Sequence, residues 1–206
     1  RKNPGNYQQQ NDRPPPSGSV VVYCDGSCPS GNPGPGGWSF VIPETGDKVS
    51  GGEANSTNNR VEIIAGIEAI KFCTEKFPGR TIFIYSDSQY LVKGAMQWIG
   101  KWKRNGWSRG SGEVKNLDLW KELELLVSAK NTIFRWVRGH NGNHWNEVAD
   151  KLAYHGACNQ ARKHVKGHKT ITLVIVDEIE KDLDDGLPCC DAEDSFFVET
   201  SCRLLF

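Results

Sequence analysis

Four carboxylates occupy positions from which a folded chain could bring them together. Asp25 ends the β-branched run "VVVYCDGS", and Asp87 ends a second such run, "IFIYSD". Glu62 and Asp150 lie in segments whose apolar residues have the spacing of helices. Because ligand sites in α/β sheets form at strand ends, we expect Asp25 and Asp87 to lie side by side if their strands are neighbours, with Glu62 and Asp150 within reach.

Converging acids would repel one another, and their pKa values would rise unless a cation lay among them. A set of ligands made only of oxygen atoms, without Cys or His, suits Mg²⁺ or Mn²⁺. Two such ions can activate a water molecule and stabilise the leaving oxygen of a phosphodiester. The four acids therefore predict a site for two Mg²⁺ ions, for which Mn²⁺ can substitute.

Glu62 also has a purely structural interpretation. Asn59 could cap the helix with Glu62 as its third residue, which is the spacing of a capping box. Against this, Glu62 shares its helix face with Ala65, Gly66 and Ala69. Small residues there let a helix approach a sheet closely and half-bury the acid, which a cap facing water does not need.

The other three acids have structural alternatives as well. Asp25 precedes Gly26 and could belong to an ordinary turn, and Asp87 could cap the helix that follows it. Asp150 could pair with Lys151 or face solvent. Only the joint arrangement of the acids separates these interpretations from a catalytic one.

The elements that must position these acids can be read along the chain. Apolar patterns and turn residues predict a mixed sheet with helices packed on its faces, because three strands are followed by helices alternating with two more strands. The predicted strands are 20–27, two within 32–54, 81–88 and 133–139, and the predicted helices are 61–77, 88–102, 116–129 and 145–161. The first of these helices should stop at Pro78 and Gly79.

Composition divides the chain into three parts. Residues 1–18, rich in Gln, Asn and Pro, are predicted to be a disordered leader, and residues 19–162 a catalytic domain. Residues 163–206 form an acidic extension, predicted to be largely disordered apart from a possible strand at "TITLVIV". Residues 170–206 hold ten Asp/Glu and two Lys/Arg, a net charge of −8, against +8 for residues 1–169. The basic body indicates a polyanionic partner.

Several classes of protein are excluded or disfavoured. The sequence has no run of 18 apolar residues, which argues against a membrane span, and its first residues lack the apolar core of a secretory signal. Seven cysteines without a C-x-x-C pair argue against both a disulfide framework and a zinc site. An intracellular protein is expected, most simply cytoplasmic, with nuclear or organellar locations left open.

Four motifs, "YCDGSCPSGNPGPGGW", "STNNRVE", "YSDSQYL" and "WVRGHNGNHWNEVADKLA", occur in this order within about residues 20–160. Together they closely resemble ribonuclease H of type 1. The resemblance implies an α/β ribonuclease H-like fold whose five-stranded mixed sheet has the order 3-2-1-4-5. It implies hydrolysis of the RNA strand of RNA–DNA hybrids, leaving 5′-phosphate and 3′-hydroxyl ends.

The same resemblance assigns roles to individual residues. The metal-binding acids are matched by Asp25, Glu62, Asp87 and Asp150. His140 matches a histidine on a mobile loop that helps to protonate or release the product, although a lone loop imidazole is usually just a surface residue. Hybrid duplexes are read by shape and through 2′-hydroxyl groups, which Asn and Gln can both donate to and accept from. The implied substrate-binding residues are Asn32, Asn58, Asn59 and Gln89 along the RNA strand, backbone groups near Gly26 and Cys28, Asn146 in the catalytic loop, and Thr57 in a pocket for a DNA phosphate.

The stretch "MQWIGKWKRNGWSRG", residues 96–110, alternates cations with tryptophans. Cations hold phosphates and indoles pack against sugars or bases. The family has a basic protrusion here that grips the DNA strand, which implicates Trp98, Lys101, Lys103 and Arg104. The alternative is a helix pair whose tryptophans belong to the core.

Two other functions remain possible from the sequence. One is the ribonuclease H domain of a retroelement reverse transcriptase, and the other is a catalytically silent module that only binds hybrids. The four intact acids argue against the second. A monomer is expected.

Overall fold

The structure, a computed structural model, describes residues 13–110, 112–129, 131–165 and 174–175 and is built around a central sheet. Five strands form the body of the sheet: β1 (Val20–Ser27), β2 (Gly34–Ile42), β3 (Asp47–Ser56), β4 (Ile82–Ser86) and β7 (Thr132–Trp136). Their order is β7-β4-β1-β2-β3, with β1, β2 and β3 antiparallel and with β4 parallel to both β1 and β7. The predicted mixed sheet and its order are confirmed.

Three further short strands extend this plan. β5 (Ser108–Arg109) and β6 (Gly112–Glu113) form a separate hairpin. β8 (Val174–Ile175) pairs antiparallel with β3, opposite Val49 and Ser50, and adds a sixth strand to the sheet. It lies inside the predicted strand "TITLVIV". The rest of the acidic extension beyond residue 165, like residues 1–12 of the leader, lies outside the described residues.

The helices lie close to their predicted positions. They are α1 (Asn58–Lys76), α2 (Gln89–Lys93), α3 (Ile99–Arg104), α4 (Leu117–Ala129) and α5 (His144–Val165). α1 ends before Pro78 and Gly79, as predicted. The prediction of one regular helix over 88–102 is wrong, because a π-helical turn, Gly94–Trp98, separates α2 from α3. A Cβ on Gly94 would lie 2.0 Å from the ring of Trp120, so the indole occupies the space where a side chain would stand.

α1 and α5 cover opposite faces of the sheet. Val20, Val22 and Cys24 of β1 join the larger apolar core, which also holds the buried face of α1. On the other face, Val41 packs with Val148, Ala149 and Leu152 of α5. Since alternate residues of a strand point to opposite faces, this division follows from the apolar pattern. Within the described ranges, no helix is long and apolar enough to cross a membrane.

The four cysteines in the described ranges, Cys24, Cys28, Cys73 and Cys158, are buried, and none forms a disulfide. Burial raises the pKa of the Cys24 thiol well above its usual value, with smaller contributions from nearby carboxylates. Burial also raises the pKa of Cys28 to about 11 and that of Cys73 to about 12. These three groups are therefore thiols, not thiolates, at neutral pH.

Candidate active site

Three of the four predicted acids meet at one end of the sheet. Asp25, Glu62 and Asp87 each contribute a carboxylate oxygen, and these atoms lie within 4.8 Å of one another. β1 and β4 are parallel neighbours with Tyr23 opposite Tyr85, so Asp25 and Asp87 follow at the same edge. Asp25 is 5% exposed, and its Oδ1 accepts a hydrogen bond of 2.7 Å from the N–H of Gly26.

The helix carrying Glu62 begins earlier than a capping box at Asn59 requires. Thr57 is the N-cap of α1, and its side chain accepts a hydrogen bond from the N–H of Arg60. The suggested cap at Asn59 is wrong, because Asn59 lies inside the first turn and Arg60 takes the position assigned to Glu62. Glu62 instead turns inward, and its Oε2 is shut off from solvent without a hydrogen-bond partner.

A close approach of β1 to α1 makes this placement possible. A Cβ on Gly26 would lie 2.6 Å from the backbone nitrogen of Glu62 and 2.7 Å from the carbonyl carbon of Val61. Only glycine fits at this position without moving the helix. The backbone contact brings Glu62 to the end of the strand that carries Asp25.

Burial and repulsion between carboxylates raise the pKa values of Glu62 and Asp25. The pKa of Glu62 is raised well above its usual value, first by burial and then by Asp25, Asp87 and Asp150. Burial, followed by repulsion from Asp87 and Asp150, raises the pKa of Asp25 to about 8, against the opposing hydrogen bond from Gly26. A cation among these oxygens would favour their ionised forms. The electrostatics of the triad are those of a cation site.

Asp150 lies beside the triad and is not part of the 4.8 Å cluster. Its Oδ2 is 4.0 Å from Nδ1 of His140, whose side chain is 83% exposed. Burial raises the pKa of Asp150, while the charge of His140 acts in the opposite direction. The backbone of His140 has a φ of 49°, in the left-handed region. The structure therefore brings Asp150 together with His140 at the open side of the site.

Asp87 is contacted by residues from the end of β7, the loop after it and the start of α5. Nδ2 of Asn146 donates to Asp87 Oδ2 at 3.1 Å, and the indole N–H of Trp136 donates to the Asp87 carbonyl at 3.0 Å. A Cβ on Gly139 would lie 2.4 Å from Asp87 Oδ2. Asn146 is only 2% exposed, and its Oδ1 is buried without a partner. Asn146 thus orients a carboxylate of the triad.

Two of the predicted amides, Asn32 and Asn58, form a hydrogen-bonded row with the backbone of Cys28. The N–H of Cys28 donates to Asn58 Oδ1 at 2.8 Å, and the N–H of Asn58 donates to Asn32 Oδ1 at 3.2 Å. Asn32, Asn58 and Asn59 are exposed. Gln89 is exposed as well and accepts a hydrogen bond from Lys93 Nζ at 2.6 Å.

A cavity of about 510 Å³ continues from this row. Some of the residues that line it were predicted from the sequence to bind the substrate, and others were not. The lining residues are Asn32, Thr57, Asn59, Tyr90, Arg109, Lys115 and Asn116. The sequence analysis missed Lys115 and Asn116 because they belong to no motif and lie between the β5–β6 hairpin and α4. Asn116 adopts a left-handed backbone conformation, with a φ of 57°, which the local sequence does not predict.

An ion-pair network centred on Arg60 joins elements next to this cavity. Arg60 contacts Glu53 of β3 at 3.0 Å through Nε and Asp118 of α4 at 2.9 Å through Nη1. The hydroxyl of Ser56 donates to the same Glu53 carboxylate at 2.8 Å. Arg60 therefore ties the start of α4, next to Lys115 and Asn116, to the start of α1. Its presence inside "STNNRVE" was the only signal in the sequence.

The predicted basic protrusion is built on an aromatic cluster. The ring of Trp98 lies 5.7 Å from those of Tyr90 and Trp102, and Trp102 is buried against Trp120. Lys101 and Arg104 are exposed, whereas Nζ of Lys103 contacts Glu124 at 2.5 Å. A cavity of about 420 Å³ adjoins this cluster, lined by Tyr90, Trp98, Lys101, Trp102, Asn105, Ser108, Arg109 and Gly110.

Comparison with known proteins agrees with this fold and site. The protein-family model described as RNase H matches residues 17–158. A Ribonuclease H of Pseudomonas fluorescens is 42% identical over 156 residues, covering 74% of this chain and 98% of the relative. A Ribonuclease H of Cupriavidus pinatubonensis is 46% identical over 145 residues, covering 69% and 97%.

Solved structures give the same result. LC9-RNase H1, a type 1 RNase H with the type 2 active-site motif, superimposes with a TM-score of 0.64 at 31% identity, covering 80% of this chain and 81% of that one. A foamy viral protease-reverse transcriptase, solved with an RNA/DNA hybrid, has a TM-score of 0.60 at 21% identity, and 21% of it is covered. The second likeness shows the fold alone.

This chain belongs to the ribonuclease H family. It is an enzyme of a divalent-metal-dependent family, and the carboxylate cluster lies where such a site is expected. The predicted activity, endonucleolytic hydrolysis of the RNA strand of RNA–DNA hybrids, is confirmed at the level of the family.

Proposed function

We propose that this chain cleaves hybrids at the Asp25–Glu62–Asp87 triad, with Asp150 as a fourth ligand and Mg²⁺ as the metal. The observation that carries the proposal is the convergence of three carboxylate oxygens within 4.8 Å, one acid having a buried oxygen without a partner. Such an arrangement is costly unless a cation completes it. Hard oxygen ligands alone suit Mg²⁺, with Mn²⁺ as a substitute.

The residues of the chain divide the chemistry among them. When bound, two divalent ions supply an activated water and stabilise the leaving oxygen. Asp25, Glu62 and Asp87 would bind these ions through their carboxylate oxygens. Asn146 keeps Asp87 in place through its 3.1 Å hydrogen bond. His140, exposed and 4.0 Å from Asp150, moves a proton at the leaving 3′-oxygen or assists product release.

The row of amides is proposed to read the RNA strand. Asn32, Asn58 and Asn59 are exposed beside the triad, and carboxamides can donate to and accept from a 2′-hydroxyl. Gln89 and the backbone near Gly26 and Cys28 flank the same path. Because DNA lacks the 2′-hydroxyl, this row would distinguish the strand to be cut.

The cavity lined by Thr57 and Asn116 is proposed to take a phosphate of the DNA strand. Arg109 and Lys115 supply positive charge there, and Thr57 and Asn116 supply polar groups. Trp98, Lys101 and Arg104 would hold the same strand further along. Lys103, paired with Glu124, would have to exchange that partner for a phosphate.

The test is cleavage of a labelled RNA–DNA hybrid, with double-stranded RNA and DNA as comparisons. The protein in Mg²⁺ should cut only the RNA strand of the hybrid. Asp87→Asn should lower the rate by more than about 100-fold, beyond the loss usual for a supporting residue, and should still bind hybrid. Asp47→Asn is the matched control, since Asp47 begins β3 at the opposite end of the sheet.

Three outcomes separate the alternatives. Equal cleavage by wild type and Asp87→Asn would remove Asp87 from the mechanism. Binding without cleavage by the wild type would identify a silent hybrid-binding module. A longer transcript that also encodes a polymerase would identify the ribonuclease H domain of a retroelement.

A further inference from the structure

Arg60 joins three elements beside the cavity that is proposed to take a DNA phosphate. Its guanidinium presents one edge to Glu53 of β3, with Nε 3.0 Å and Nη2 3.5 Å from the two carboxylate oxygens. The remaining Nη1 donates to Asp118 Oδ2 of α4 at 2.9 Å. Arg60 itself belongs to the first turn of α1. One side chain therefore connects β3 and the start of α1 to the start of α4.

The cavity is lined by residues from both of the helix starts that Arg60 connects. Thr57 and Asn59, close to Arg60 in the chain, form one part of the lining. Lys115 and Asn116, which directly precede α4, form another part. Thr57 Oγ1 accepts a hydrogen bond of 3.3 Å from the N–H of Arg60, so its hydroxyl group can still donate to a phosphate oxygen. Both parts can contact one phosphate only while the two helix starts keep their spacing.

Apolar contacts keep α4 in the fold independently of Arg60. Val114 and Leu119 are 4% and 8% exposed, and both pack in the larger apolar core. Between them, Lys115 is exposed and Asn116 is half-buried. Loss of the link through Arg60 should therefore loosen the lining of the cavity while α4 stays folded against the core.

We propose that Arg60 is a positioning residue for the DNA strand, which holds Thr57 and Asn116 at the spacing that lets both contact one phosphate. The inference rests on the proposed function, in which this cavity takes that phosphate. Arginine suits the position because its planar fork binds two carboxylates at once, whereas a lysine ammonium is a single point of charge. The lining of the cavity and the carboxylate cluster share no residue, so the effect should fall on KM for the hybrid and not on kcat.

Arg60→Lys and Asp118→Ala break the link from its two ends, and Glu122→Ala is the matched control. Glu122 lies one turn after Asp118 on α4 and pairs with Lys71 of α1 at 2.8 Å. Its replacement therefore removes the same charge and another ion pair between the same two helices. Arg60→Lys and Asp118→Ala should raise KM about three- to tenfold, because a hydrogen bond to a charged phosphate is weakened, with kcat within about twofold of wild type. Glu122→Ala should keep the wild-type KM.

The direction of the change in KM separates positioning from simple charge. The side chain of Asp118 is 62% exposed, and removing its carboxylate weakens the repulsion of a polyanion, which by itself lowers KM. A KM for Asp118→Ala equal to or below that of Glu122→Ala would therefore overturn the inference. A loss confined to kcat would contradict it as well, since that result would connect Arg60 to the catalytic acids.

A chemical scan of the DNA strand tests the cavity directly. Each phosphate of that strand is replaced in turn by an uncharged methylphosphonate. In the wild type, the replacement at the position that meets the cavity should raise KM, and the same replacement should have a smaller effect in Arg60→Lys. Equal effects in the two proteins would rule out the role of Arg60 and leave the cavity as a phosphate site. No effect at any position in the wild type would remove the phosphate site from the proposed function, and the inference with it.

Hybrid binding gives a readout without cleavage. In the Asp87→Asn background, Arg60→Lys should weaken binding and lower the slope of log K against log salt by up to about 0.9, as expected for one phosphate contact. Glu122→Ala should leave this slope unchanged. Wild-type slope and affinity in Arg60→Lys would refute the inference. If the wild type failed to cut hybrids, the proposed cleavage would fall, while this measurement would still decide whether Arg60 acts on DNA-strand binding.

Discussion

At the active site, the acidic side chains of Asp25 and Glu62 are buried in surroundings that disfavour their charged forms. Asp25 is 5% exposed among other acids, and Glu62 keeps an oxygen buried without a partner. Uncompensated polar atoms of this kind cost free energy and recur at functional sites. The catalytic edge is therefore expected to lower the stability of the metal-free protein.

This cost has a defined pH dependence. The pKa of Asp25 is about 8 in the folded protein and near 3.8 in the unfolded chain, so between these values the folded state holds more protons. The free energy of unfolding should therefore fall as the pH rises from about 4 to about 8. Asp25→Asn should flatten this slope and stabilise the protein at pH 8 by about 1–3 kcal/mol, as measured by urea unfolding in EDTA.

Asp47→Asn serves as the control for that measurement, because Asp47 lies at the opposite end of the sheet and pairs with Lys76. It should keep the wild-type slope. Parallel pH profiles for wild type and Asp25→Asn would show that Asp25 is ionised in the folded protein without a metal.

At this scale the sequence predicted which acids matter but not how they are held. Residue type and position at strand ends were enough to select Asp25 and Asp87. The contact of Asn146 with Asp87 spans 59 positions. Such contacts depend on how helices pack on the sheet, which no local pattern encodes.

Helices and strands were predicted well where the apolar periodicity determines the element, and poorly where contacts between distant parts of the chain determine it. Thr57 and Asn59 can both cap a helix, and their local sequence does not choose between them. The π-helical turn begins at Gly94, which packs against Trp120, 26 positions later in the chain. The approach of α1 to β1 is of the same kind, because it is set by the missing side chain of Gly26.

Gly26→Ala tests that approach. The added methyl would meet the backbone of Glu62 at 2.6 Å, and a backbone contact cannot be relieved by rotating a side chain. We expect a loss of about 1–3 kcal/mol in the free energy of unfolding, as for overpacked cores, together with a loss of cleavage as Glu62 moves away from Asp25.

Gly100→Ala is the matched control in the stability measurement. Its Cβ would meet only the flexible end of Arg104, at 3.7 Å, inside α3. Alanine should stabilise that helix by about 0.5–1 kcal/mol. A Gly26→Ala protein as stable and active as wild type would mean that α1 tolerates a more distant position.

The whole molecule combines a basic body with an acidic C-terminal segment. We expect the net charge of −8 in residues 170–206 to compete with nucleic acid for the body. All ten acids of this segment lie at or after Asp177, whereas β8 is Val174–Ile175. Truncation after residue 176 therefore removes the charge and keeps the strand.

That truncation should lower KM for the hybrid at low salt, and the difference should vanish at high salt because exposed charges are screened. A full-length variant with the ten acids changed to Asn and Gln is the control for length, and it should behave like the truncation. KM values equal to wild type at every salt concentration would exclude competition by the segment. The predicted monomer, and the predicted domain limits at 19 and 162, stay predictions.

The buried cysteines have a consequence for how the enzyme meets oxidants. Peroxide and alkylating reagents attack the thiolate, and burial keeps Cys24, Cys28 and Cys73 protonated and out of contact. Cys24 is the immediate neighbour of Asp25, so its oxidation would place a bulky polar group beneath the acids. While the domain is folded, the cysteine of the catalytic strand, Cys24, is therefore not available as a thiolate to oxidants.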